Sequence, residues 1–152
     1  MKKSLGISAV FLFMAVNLPA AHAQSAADRE AIHTLMWRYA LAFETLDPDA
    51  YVSLFADDGR FGETQGHDAL RTMIENLKQS RVDSPREYLL MTDAWIEFID
   101  ETHARHHHYW MTIFEPAEQG ASPDVSAVGR GVDDLVKIDG EWLIQTRLAP
   151  QE

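Results

Sequence analysis

Between residues 28 and 45 the apolar side chains Ile32, Leu35, Met36, Tyr39, Ala42 and Phe43 recur at steps of three and four. That is the period of one helix face. The spacing predicts an amphipathic helix over 28–45, with Arg29, Glu30 and Arg38 on its wet side and a capping box at Ser25 and Asp28. Asp47-Pro48 predicts an N-cap and first position of a second helix, with Tyr51, Leu54 and Phe55 as its apolar stripe. Asp57-Asp58-Gly59 reads as the turn that ends it, and Arg60-Phe61-Gly62 as a short strand. Gly66 leads into a third helix carrying Leu70, Met73, Ile74 and Leu77.

The period then changes. Residues 86–99, 103–114, 125–138 and 141–148 are rich in β-branched and aromatic side chains and read as strands. Asp139-Gly140 is a two-residue hairpin signal, Asp100-Glu101 turns the first pair, and 115–124 is a breaker-rich connection. Helices first and long antiparallel strands afterwards predict an α+β domain. A curved, mainly antiparallel sheet wrapped around the N-terminal helices would bury the wide apolar face of the first one and leave a cavity at its open end.

The N-terminus adds a separate unit. Lys2 and Lys3 precede an apolar run from Leu5 to Leu18 and a small-x-small pattern at Ala21-His22-Ala23, the layout of a cleaved signal peptide. The expected division is a leader over 1–23 and one domain over 24–152, exported to the periplasm or secreted, with no stable membrane anchor. The formal charge is −11. Without Lys2 and Lys3 it becomes −13, from 11 basic against 24 acidic residues, which argues against nucleic-acid binding. The absence of cysteine excludes thiol catalysis, thiolate metal sites and disulfides.

Chemistry concentrates at residues 103–114, where His103, His106, His107 and His108 precede Tyr109-Trp110-Met111-Thr112-Ile113-Phe114. Strand side chains alternate, so His106, His108, Trp110, Thr112 and Phe114 share one face, and Arg105, His107, Tyr109, Met111 and Ile113 the other. Small Ala104 favours the even face packing inward on the first helix. A His-x-His pair can bind a metal if a third ligand arrives, with Glu44 and Asp133 as candidates, but no longer metal signature is present. The expectation is no metal and no cofactor. Glu44, at the end of the first helix, would become a general base if it points into a cavity; otherwise it is a solvated helix-end carboxylate. Tyr39, on the core stripe, and Tyr88 could polarise a substrate oxygen or simply pack. Asp133 lies in the glycine-rich run 129–135, and either faces the cavity or pairs with Arg147 or Arg130.

Tyr39-Ala40-Leu41-Ala42-Phe43-Glu44, then Asp47, Tyr51 and Leu54-Phe55-Ala56-Asp57-Asp58-Gly59, resemble the opening of SnoaL-like proteins of the nuclear-transport-factor-2-like superfamily. Gly66, the run Gly129 to Lys137 and Asp139-Gly140-Glu141-Trp142 fit the same pattern. The resemblance implies a cone-shaped α+β barrel, as in scytalone dehydratases and ketosteroid isomerases, and a homodimer. It also favours His106 and His108 as cavity residues. Dehydratase-like relatives place Asp near the end of the first helix and His at the start of the first long strand; the matching positions here hold Glu44 and Tyr88. Two functions are implied. One is a cofactor-free lyase, isomerase or hydrolase acting on a small apolar or cyclic molecule, with Glu44, His106, His108 and Tyr88 catalytic and Tyr39, Phe43, Trp110 and Asp133 contacting substrate. The other is a binding or accessory module whose cavity holds a small-molecule ligand unchanged.

Overall fold

The computed structural model describes residues 19–147 apart from 117 and 119, with side chains from residue 26 onward. Most of the expected leader, and Leu148 at the end of the last expected strand, fall outside the described residues. The elements run α1 (Pro19–Thr45), α2 (Pro48–Val52), β1 (Phe55–Phe61), β2 (Thr64–Gln65), α3 (His67–Ser80), β3 (Glu87–Phe98), β4 (His103–Phe114), β5 (Asp124–Ile138) and β6 (Glu141–Arg147). The six strands form one curved sheet in the order β2-β1-β6-β5-β4-β3. β1 runs parallel to β6, and the other described pairings are antiparallel.

α1 lies in the concave side of this sheet. Ile32, Leu35, Met36, Tyr39 and Ala42 are buried against Tyr51, Leu54, Phe55, Leu70, Ile74, Leu135 and Ile144. Ile32, Tyr51, Leu70, Ile74 and Ile144 are fully buried, and each such side chain stabilises the fold by about 1.5–3 kcal/mol relative to exposure. The expected helix start at residue 28, with its capping box at Ser25 and Asp28, is corrected by the structure. The alanine-rich run before it, high in helix propensity, carries α1 back to Pro19. Asp28 therefore sits inside the helix, and its Oδ1 accepts from Lys137 Nζ at 2.6 Å and Trp142 Nε1 at 3.0 Å, tying α1 to the β5–β6 hairpin.

Asp47 caps α2 as expected, accepting from the Ala50 amide at 3.0 Å. Asp57-Asp58-Gly59 is not a turn; it lies within β1. The register against β6 shifts between Phe55 and Arg60, and a Cβ on Gly59 would stand 2.8 Å from both the Ala56 and Ile144 carbonyl oxygens. The glycine answers a close backbone approach within an irregular strand, and the chain reverses afterwards at Gly62, where φ is 54°. The Asp139-Gly140 hairpin is present, with φ of 51° and 89°.

β3 is an edge strand, and α1 covers part of its open side. Glu44 Oε1 accepts from the Leu89 amide at 3.1 Å, and Arg29 Nη1 donates to the Ile96 carbonyl at 3.2 Å. Two side chains of the helix thus satisfy strand groups that have no neighbouring strand.

Candidate active site

The even face of β4 points inward. Ala104, His106, His108 and Thr112 are buried, whereas His103 and Tyr109 are exposed and His107 is half-exposed. In the sheet register His106 stands opposite Asp133 on β5, and Asp133 stands opposite Arg147 on β6. One row across three strands therefore places an imidazole, a carboxylate and a guanidinium side by side. Arg147 joins this row only through a bulge. Asp134 pairs with Thr146 and Leu135 with Ile144, so Gln145 is the extra residue in β6 and the inward face passes from even to odd positions.

Asp133 is the centre of the network. Its Oδ2 accepts from Arg147 Nη1 at 2.6 Å and His106 Nδ1 at 3.3 Å, and lies 3.5 Å from His108 Nδ1. Its Oδ1 is buried with no partner among the described residues. Burial alone would raise this carboxyl, but the positive charge of Arg147 and the hydrogen bond from His106 outweigh it, and the acid is held below the ordinary carboxylate range. Arg147 Nη2 lies 3.4 Å from His108 Nε2 and 3.3 Å from Met91 Sδ, and its guanidinium stacks 4.0 Å above the Tyr39 ring. The His106 and His108 rings stack at 4.8 Å.

This arrangement fixes the state of His108. Burial pushes it down to about 4; Asp133 opposes that change, and Arg147 and His106 add to it. His108 is thus neutral near pH 7. His108 Nδ1 makes no hydrogen bond among the described residues, but the Asp133 carboxylate 3.5 Å away favours a proton there, and the guanidinium facing Nε2 favours the lone pair on that nitrogen. Tyr39 and Tyr51 hydroxyls are 3.2 Å apart in the core, and burial raises both phenols.

A cavity of about 210 Å³ opens beside this network, lined by Tyr39, Phe43, Phe61, Leu89, His108, Trp110, Thr112, Ala127 and Arg147. It has a polar end at His108 and Arg147 and aromatic walls. Of the residues expected at a site, Tyr39, Phe43, His108 and Trp110 line it, and Asp133 supports it from behind. Glu44 and His106 instead line a separate groove of about 610 Å³ between α1 and the edge of β3, beside Trp37, Leu41 and Leu90. The structure does not bring Tyr88 to either. It pairs with Ile113 on the outer face of the sheet, half-buried beneath Arg86, because strand alternation gives the inward positions to Glu87 and Leu89. Sequence reasoning missed Phe61 and Leu89 as cavity walls, and named Arg147 only as a partner for Asp133.

His106, His108 and Asp133 are also the residues that could hold a metal, with ligating atoms all within 4.8 Å of one another. Glu44 is not among them. Arg147 already supplies the positive charge at Asp133 Oδ2, so a divalent ion would lie beside a fixed guanidinium, and the set fits an arginine-balanced network better than a metal centre.

The fold has clear counterparts. The family model described as a SnoaL-like domain matches residues 24–148, and the chain belongs to that family. A protein of unknown function from Mycobacterium tuberculosis is similar in structure, with a TM-score of 0.74 and 23% identity over 90% of this chain and 79% of that one. An NTF2-like protein with a cystatin-like fold from Novosphingobium aromaticivorans gives 0.75 and 16%, over 89% and 88%. A candidate scytalone dehydratase from the same organism gives 0.68 and 19%, over 84% and 85%. These likenesses show the NTF2-like fold. No curated protein matches the sequence.

Proposed function

We propose that the chain is a cofactor-independent acid/base enzyme of the lyase or isomerase type, acting on a small, largely apolar, cyclic molecule that carries an oxygen function. The observation that carries this reading is a buried, neutral His108 that lines the 210 Å³ cavity together with Arg147, while the Asp133 carboxylate lies 3.5 Å from its Nδ1. His108 Nε2 takes a proton from a carbon next to the substrate carbonyl. Asp133 stabilises the imidazolium that forms, and Arg147 Nη2, whose partners among the described residues are the weak acceptors Met91 Sδ and His108 Nε2, donates to the developing oxyanion. An anion formed there offsets the charge of Arg147, which is one of the influences that lower His108, so the base strengthens as the reaction proceeds. The imidazolium then returns the proton, to a different carbon in an isomerisation or to a leaving hydroxyl in an elimination. Phe43, Phe61 and Trp110 supply apolar contact. Hydrolysis by the same base acting on water is a weaker fit to an aromatic cavity.

A cyclic ketone such as 2-tetralone tests the central step through exchange of its α-hydrogens for deuterium, followed by proton NMR. Acceleration by the protein, lost by about 100-fold or more in His108→Gln, is the expected result. Saturable binding without exchange would sink the catalytic reading in favour of a ligand-binding module. That second reading draws support from Glu44, whose Oε1 is engaged by the Leu89 amide.

Two further parts of the proposal concern setting. The pattern over residues 1–23 supports export, which predicts a mature N-terminus at Gln24, readable by N-terminal sequencing of protein from the periplasm or medium. The outer sheet face exposes Leu90, Trp95, Tyr109, Val125 and Val128, an apolar surface that supports a homodimer. Sedimentation should give twice the chain mass, and a Tyr109→Glu variant should sediment as a monomer.

A further inference from the structure

The glycines of β5 carry a consequence for what the cavity admits. Gly129 faces Trp110, and Gly131 faces His108, each across one register position. A Cβ built on Gly129 would lie 2.7 Å from Trp110 Cζ2, 2.9 Å from Cε2 and 3.0 Å from Nε1. One built on Gly131 would lie 2.5 Å from His108 Cε1 and 2.6 Å from Nε2. Neither glycine has the positive φ that would require it for backbone reasons. Their role is steric: two rings rest directly on the bare backbone of β5, where any other residue would hold them off.

We propose that Gly129 and Gly131 determine the ligand specificity of the cavity, by letting Trp110 and His108 lie back against β5 and leave width for a flat, two-ring ligand with a hydroxyl or carbonyl group. This rests on the reading of the 210 Å³ cavity as the substrate site. The two rings line that cavity. A methyl group on either glycine pushes its ring away from β5, and away from β5 means into the cavity. Trp110 is half-buried and can move. His108 is held by Asp133, Arg147 and the stacked His106 ring, so displacement there also breaks the contacts that fix its tautomer. Gly129 therefore governs ligand size alone, and Gly131 governs both size and the basic nitrogen.

The test uses 1-naphthol and phenol as probes with the full-length mature protein, measuring affinity by ligand-observed NMR, together with a crystal structure of Gly129→Ala. Expected results are a loss of at least tenfold in 1-naphthol affinity in Gly129→Ala, phenol affinity within about threefold of the parent, and the Trp110 indole displaced into the cavity. A Gly129→Ala/Trp110→Phe double variant, with a smaller ring to accommodate, should regain naphthol affinity to within about threefold of Trp110→Phe alone. Unchanged naphthol binding in Gly129→Ala overturns the proposal, as does a crystal structure in which the indole stays in place and β5 yields instead. If the parent protein binds neither probe, the substrate-site reading fails, and the position of Trp110 in the variant crystal still decides the role of Gly129.

Discussion

At the scale of single residues, Asp133 is the group on which most others depend. It is fully buried, and it balances Arg147 while accepting from His106. Removing one partner of a buried ion pair leaves an uncompensated charge, a loss of about 3–5 kcal/mol, whereas replacing both with apolar groups of similar size costs far less. Asp133→Ala should therefore lower unfolding stability by about 3–5 kcal/mol in urea denaturation, and Asp133→Leu/Arg147→Met should recover most of that loss. An Asp133→Ala loss under about 1 kcal/mol would mean that the pair is not the electrostatic centre of the site. The sequence pointed to His106, His108 and Asp133 and to the face they share. It could not place Arg147, because the bulge at Gln145 breaks the alternation on which that placement would rest. Tyr88 is the converse case. Its match to the histidine expected at the start of the first long strand is one of position, while the pleat turns its side chain outward.

Among elements, the fit of α1 against the edge of β3 separates a tethering role for Glu44 from a catalytic one. Its hydrogen bond satisfies the Leu89 amide on a strand with no outer neighbour. A lost bond of this kind, made to a charged acceptor, is worth roughly 1.5–3 kcal/mol. Glu44→Ala should lower stability by about that amount, and Glu44→Gln, which keeps the acceptor oxygen, by clearly less. If both variants keep the parent's rate of 2-tetralone exchange, Glu44 holds the cone together and takes no part in proton transfer. Element type was legible because both periods are strong, the helical one in Ile32 to Phe43 and the alternating one through β4. The start of α1 and the path of β1 were not. Alanine propensity overrode a plausible cap at Asp28, and a glycine needed for close approach at residue 59 looked like a turn residue.

For the whole molecule, the buried ionisable groups set how stability responds to pH. His108 is lowered from an ordinary 6.5 to about 4. Its contribution is complete above the unfolded value and is lost as pH falls from about 6.5 towards 4, because only the unfolded chain takes up the proton. The difference corresponds to about 3 kcal/mol, an order-of-magnitude figure. Asp133 and Asp28 are lowered as well, each against its own burial, by Arg147 and His106 in one case and by Lys137 and Trp142 in the other. Their contributions are complete above the unfolded value of 3.8 and are lost as pH falls from there through the lowered folded values. All three act in the same direction. The midpoint of thermal unfolding should fall steadily below about pH 6.5, and His108→Gln should remove the upper part of that fall.

The state of His108 is the claim on which the catalytic account stands, and nitrogen-15 NMR of histidine-labelled protein reads it directly. The account predicts a neutral ring at pH 7 with its proton on Nδ1 and a bare Nε2, protonating only near pH 4. A His108 that titrates near 6.5, or that carries its proton on Nε2 at neutral pH, would contradict it.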